Sequence, residues 1–305
     1  MRCLFSSRCV SAVLPSVLSS VVVLPSVALV ALLAAVTAPL STTLLAQQSP
    51  STVDPLHRPL DQILDLYVRD GFVYYRALKA ERSRLDRYVS SLNVAPATYA
   101  GWSPQQQMAF WVNAYNAFVL QTVIDHYPIK GKGDEYQAGS IRLIPGAFDK
   151  RTHRAAGRSL TLDEIEKTVL PEFKEPRLFL ALGRGAVGSG RLRSEAFSGD
   201  QLERQLEAVA ADFMTHEQMI RMDRANDIIS LTPILSWREA EFVAKYDPGA
   251  TGAFAERSPI ERALVAFITP HLLPLEKELV RKNTFRVVFH DLDWRLNDLT
   301  GGRIG

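Results

Sequence analysis

The chain has 305 residues, a formal charge of +2 and 47% hydrophobic residues, enough apolar material for a packed core. The charge is nearly balanced and no basic stripe is interleaved with aromatics, so nucleic acid is not an expected partner. Both cysteines, Cys3 and Cys9, lie near the N-terminus, which leaves the rest of the chain without a thiol nucleophile, a thiolate ligand or a disulfide.

Arg2 and Arg8 are followed by no charged residue until Asp54, and positions 21–38 are mostly Val, Leu and Ala. This reads as a secretory signal over 1–46, with cleavage after Ala46, or as an uncleaved N-terminal membrane anchor. Either alternative places the body outside the cytoplasm, periplasmic or secreted. The Ser-, Pro- and Gln-rich stretch 47–59 is expected to be a tether, and 60–305 a single globular domain.

Apolar residues at helical spacing predict helices over 60–67 and 78–92, separated by an Asp70-Gly71 break and a short extended piece at 73–75. Ser103, Pro104 and Gln106 then mark the start of a long helix: a Ser cap, a Pro in the first turn and a Gln at the third position. Tyr127-Pro128 marks its end. That helix is apolar nearly all round yet carries Asn113 and Asn116 on one face, where a lost partner would cost roughly 1–3 kcal/mol. Its two amides are therefore either tied to loop backbone or placed for a ligand.

Residues 131–146 read as a loop, and Thr161-x-x-Glu164 as a capping box opening a short helix that ends near Pro171. The run 178–182, between Pro176 and Gly183, is expected to be a strand buried on both faces. Ser198 and Gln201 predict the start of another helix with Leu202, Leu206, Val209, Ala210 and Phe213 on its inner face. Strands are expected at 228–231 and 285–289. The total is α+β, mainly helical, packed on a small sheet.

In order, AFWVNAYNAFVLQTVIDHYPI, SLTLDEIEKTVL, EPRLFLAL, LRSEAFSGDQLERQLEAVAADFM, LSWREAEF and HDLDWRLND, with DGFVYYRAL near Gly71, resemble the family called domain of unknown function 547. The resemblance spans roughly 60–298. It implies a family defined by sequence, with no established biochemical role. In its members the segment matching 178–182 typically begins with a His and runs into a loop with two cysteines, the second before a Pro. Phe179, Arg184, Ser189 and Gly190 stand at those positions here, so any thiol or metal chemistry of that loop is absent from this chain.

Gly183, Gly185 and Gly188 spell G-x-G-x-x-G, but no helix signal opens inside the motif, so nucleotide binding is not expected. Ser189 reads as a solvated loop serine, or as a nucleophile if a base reaches it. Arg184 and Arg193 read as solvated, or as anion ligands helped by glycine amides. The six histidines show no i, i+4 pair, and His290-Asp291-Leu292-Asp293 reads as structure or solvent, so neither a metal nor a cofactor is expected. Trp111, Trp237 and Trp294 are expected in the core.

The ligand-binding candidates are thus Asn113, Asn116, Arg184, Ser189 and Arg193, bordering a cleft between the long helix and the loop 183–190. No catalytic residue is assigned. The expected function is a non-catalytic binding or scaffolding module of the cell envelope, with a small ligand or an envelope protein as partner. The alternative is a hydrolase or acyltransferase of papain or transglutaminase type, inactive in this copy.

Overall fold

The computed structural model describes residues 54–131 and 133–300. The export segment, the cleavage point, both cysteines and most of the tether lie outside the described residues. Helix α1 (Arg58–Tyr67) buries Leu60, Ile63, Leu64 and Tyr67, the spacing of one helix face. A hairpin of β1 (Val68–Arg69) and β2 (Phe72–Val73) turns through Asp70 and Gly71, at φ 54° and 84°. Positive φ at both central positions is the turn that Asp-Gly accommodates best. The 78–92 pattern divides into α2 (Tyr75–Ala80) and α3 (Ser83–Ser91), because the chain leaves helical dihedrals at Glu81.

After α4 (Pro96–Ala100), the long helix α5 (Pro104–His126) starts where its caps predict. Ser103 Oγ accepts from the Gln106 amide at 3.2 Å, and the Gln106 side chain accepts from the Ser103 amide at 3.0 Å. Buried residues ring α5 on all sides, as expected of a helix at the centre of a core. Strands β3 (Thr152–Ala155) and β4 (Arg158–Thr161) form a hairpin that the sequence reading lacked. The Thr161 capping box then opens α6 (Leu162–Glu164), which widens into a π-turn over Ile165–Val169.

Residues 178–182 are a correction: most of the expected strand is α7 (Arg177–Leu180). A fully buried apolar run has no periodicity to separate strand from helix. The local chemistry decides it, since Pro176 sits at φ −66°, ψ −19°, and the Glu175 carboxylate accepts the Arg177 amide at 3.2 Å. Helix α8 (Leu202–Phe213) buries the predicted face. Its entry is a 3-10 turn over Gly199–Gln201, and the expected Ser198 side-chain cap bond is not made. Instead the Gln205 carboxamide accepts the Ser198 amide and donates to the Ala196 carbonyl, both at 2.9 Å.

The architecture is mainly helical α+β, as expected, and among the described residues the strands form three small sheets. The largest comprises β5 (Ile220–Asp223), antiparallel to β6 (Ile228–Leu231). Helices α9 (Pro233–Trp237), α10 (Glu239–Tyr246), α11 (Pro259–Ile268) and α12 (Pro274–Lys282) follow. The chain then returns as β7 (Arg286–Phe289), parallel to β6. Beyond β7 an extended segment accepts the amides of Val73, Val187 and Gly188 on the carbonyls of Asn297, Arg295 and Asp293, at 2.8–2.9 Å. The buried apolar side chains form one cluster running from Leu60 to Leu292. Among the described residues no helix is long and apolar enough to cross a membrane.

Candidate functional site

The two amides on α5 are tied to loop backbone. Asn113 donates to the Phe197 carbonyl at 2.8 Å and accepts the Phe197 amide at 2.9 Å. Asn116 donates to the Ala181 carbonyl at 3.1 Å and accepts the Gly183 amide at 2.8 Å. Each side chain thus satisfies a buried donor and a buried acceptor on a loop with no secondary-structure partner of its own. The sequence placed a ligand cleft between these side chains and the loop, and the structure fills that space with hydrogen bonds. Asn113→Ala is accordingly expected to destabilise by about 2 kcal/mol, because two buried backbone groups lose their partner. Urea unfolding measures it, and a change under about 0.5 kcal/mol would contradict this role for the amide.

The loop residues are also corrected. Ser189 is buried, not solvated, and its Oγ donates to the Ala186 carbonyl at 2.8 Å. Arg193 pairs with Glu195 at 2.9 Å and approaches Asp212 at 3.5 Å. Two of the glycine-loop amides expected to help hold an anion are used, since Val187 and Gly188 donate to the C-terminal segment. Gly190 is required there by space, as a Cβ would lie 2.0 Å from the Leu180 carbonyl oxygen. Trp237 is another correction: it is 45% exposed, whereas Trp111 is fully buried.

Arg184 is 2% exposed and leads to the site the sequence reading missed. Its guanidinium grips Glu166 in a fork, Nη2 to Oε1 at 2.8 Å and Nε to Oε2 at 3.1 Å. Tyr115 on α5 donates its hydroxyl to Oε2 at 3.1 Å, and Arg238, between α9 and α10, donates Nη2 to Oε1 at 3.3 Å. The π-turn carries Glu166, and such turns displace one residue from the regular helical ladder. Burial raises the Glu166 carboxyl, but the attraction of Arg184 and its hydrogen bonds outweigh that and hold it below the usual range.

This network floors a cleft of about 720 Å³ whose other walls include Arg142, Phe148, Trp237 and Trp294. Two guanidinium groups of the cleft leave hydrogen-bonding capacity unused. Arg238 is 8% exposed, and its Nε is buried without a hydrogen-bond acceptor. Arg142 lies with its guanidinium 4.5 Å from the Trp294 ring and 5.2 Å from the Phe148 ring, and among the described residues no carboxylate pairs with it. Arginine stacked on aromatic rings keeps its N–H edge available for a planar anion. Four basic side chains line the cleft against three acidic ones.

Residues 99–214 match the family model described as Protein of unknown function, DUF547. The match holds α5, the π-turn with Glu166, α7 and the glycine loop, while LSWREAEF, HDLDWRLND and DGFVYYRAL lie beyond it. No curated protein and no solved structure matches the chain. Within the DUF547 segment, Phe179 occupies the position where the resemblance implies a histidine in relatives. Its ring is buried, with the Arg238 guanidinium 4.6 Å above it. Glu166 lay inside a quoted family block, so its membership of that block, rather than any periodicity, was the available signal. Arg142 and Trp294 gave none, because their pairing joins segments about 150 residues apart in sequence.

Among the described residues no group of three His, Cys, Asp or Glu side chains is placed to hold a metal ion. His290 bonds Ser230 Oγ at 3.0 Å through Nδ1 and the Gln218 carbonyl at 3.0 Å through Nε2, which ties β7 to the β5–β6 pair.

Proposed function

We propose that the protein is an exported binding module of the cell envelope and that its arginine-lined cleft takes a small anionic ligand carrying a ring. The observation that carries this reading is the buried, unpartnered Nε of Arg238 in a cleft that also presents the stacked, acid-free guanidinium of Arg142. A buried donor left unpaired costs about 1–3 kcal/mol, which an incoming carboxylate or phosphate oxygen would recover. Trp294 and the half-exposed Trp237 offer flat faces for the ring. Export rests on the long uncharged N-terminal stretch behind Arg2 and Arg8.

The hydrolase alternative asks for a base on Ser189. Its hydroxyl proton is directed instead to the Ala186 carbonyl.

Calorimetric titration with glucuronate, benzoate and inorganic phosphate tests the reading, on the wild type and on Arg142→Ala. Arg142 is exposed and holds no acidic partner, so its loss should leave the fold intact. The expected result is binding of at least one probe, weakened about tenfold, or about 1.4 kcal/mol, in Arg142→Ala. Binding equal in both proteins, or none to the wild type, would overturn it.

A further inference from the structure

A second cavity, of about 140 Å³, lies away from the cleft, enclosed by the β1–β2 turn, the glycine loop and the end of α8. Its inner wall is made of Phe72, Leu180, Val187, Val209, Phe213 and Met219. Seven polar residues also line it: Asp70, Arg191, Asp212, His216 and Gln218 stand on its solvent side, exposed or half-buried, while the two that are buried, Ser189 and Asn297, are already satisfied. Ser189 Oγ donates to the Ala186 carbonyl, while the Asn297 side chain accepts from the Tyr75 hydroxyl at 2.7 Å and donates to the Gly71 carbonyl at 2.8 Å. A trapped water needs two to four polar partners, and a cavity whose buried polar groups are so engaged favours an apolar guest at its inner end. An engineered apolar cavity of roughly 150 Å³ stays dry and binds benzene, so the size suits a single ring or a branched aliphatic group.

The mouth is built from side chains that can part. Arg191 pairs with Asp70 in the hairpin turn and approaches Asp212 on α8 at 3.9 Å. Gly71 lets the Arg191 stem lie across the turn, because a Cβ there would sit 2.8 Å from Arg191 Cγ. Asp70 is 75% exposed along its side chain, and ion pairs at that exposure hold a gate shut only weakly.

We infer that this cavity is a binding site for an uncharged apolar group the size of a benzene ring, entered past the Arg191 ion pairs. The site is independent of the anion cleft, and Arg142→Ala leaves it untouched.

Toluene is the probe, added to the whole protein and followed by thermal unfolding and by the methyl NMR signals of Val187 and Val209. The expected result is a saturable rise in the unfolding midpoint together with shifts at those two methyl groups. Val209→Phe, which fills the cavity, should weaken toluene binding about tenfold or more. Toluene that leaves the midpoint and the Val187 and Val209 methyls unchanged would overturn the inference. So would equal binding by a folded Val209→Phe protein, which would place the guest elsewhere. Should that variant fail to fold, the wild-type methyl shifts decide alone: shifts confined to Val187, Val209 and their neighbours support the site, and shifts elsewhere refute it.

Discussion

Glu166→Ala is expected to lower the unfolding free energy by about 3–5 kcal/mol, among the largest losses any single substitution in this protein would produce. The substitution leaves Arg184 buried with its charge uncompensated and removes the acceptor of the Tyr115 hydroxyl and one of two carboxylates beside Arg238, the other being Glu241 at 3.6 Å. The remaining acceptors of Arg184, the Phe179 and Leu182 carbonyls at 3.2 and 3.3 Å, solvate the guanidinium but do not neutralise it. By contrast, the half-exposed Arg82–Asp86 pair at the start of α3 is worth under about 1 kcal/mol. A double variant, Glu166→Leu with Arg184→Met, should recover much of the loss, because apolar groups of similar volume often replace a buried ion pair at little cost. Urea denaturation measures all three proteins. A Glu166→Ala loss under about 1 kcal/mol would show that the buried charge is relieved in some other way.

Acid is expected to destabilise the fold before most carboxylates titrate, through two buried histidines. Burial lowers His57 to about 4, with Asp54 opposing the shift, and lowers His153 to about 4, reinforced by Arg151. His57 Nδ1 bonds the Tyr88 hydroxyl at 2.8 Å, and His153 stacks on Phe118 with centroids 4.4 Å apart. In the unfolded chain both protonate near 6.5, so between pH 6.5 and 4 the unfolded state binds more protons. The stabilisation is therefore complete above pH 6.5 and is lost as pH falls towards 4, by about 3 kcal/mol for each histidine. Unfolding free energies at pH 7 and pH 4.5 test this. Equal values at the two pH settings would contradict it, and His57→Gln with His153→Leu should flatten the slope.

The parts of the fold legible in the sequence are those fixed by local chemistry. Ser103 with Gln106, Thr161 with Glu164, and the Asp70-Gly71 turn were each visible as a few adjacent residues whose hydrogen bonds or dihedrals dictate a start or a reversal. The strand expected at 178–182 became α7 because an all-apolar run has no period, and the Pro176 and Glu175 groups that start the helix lie just outside it. The site was less legible. Asn113 and Asn116 were rightly marked as amides needing partners, but only the fold shows that those partners are Phe197, Ala181 and Gly183. Arg184 read as a solvated cation or an anion ligand, since nothing near it in sequence announces Glu166. The cleft brings together Arg142, Glu166, Arg238 and Trp294, and long-range charge pairing leaves no periodic trace in a single sequence.

The most direct measurement is a crystal of the protein grown with 4-bromobenzoate, whose bromine marks the ring while the carboxylate marks the anion site. The account predicts the carboxylate within hydrogen-bond distance of Arg238 Nε and facing Arg142, with the ring against Trp294 or Trp237. A cleft empty of ligand, with Arg238 Nε bonded to an ordered water in its place, would contradict it.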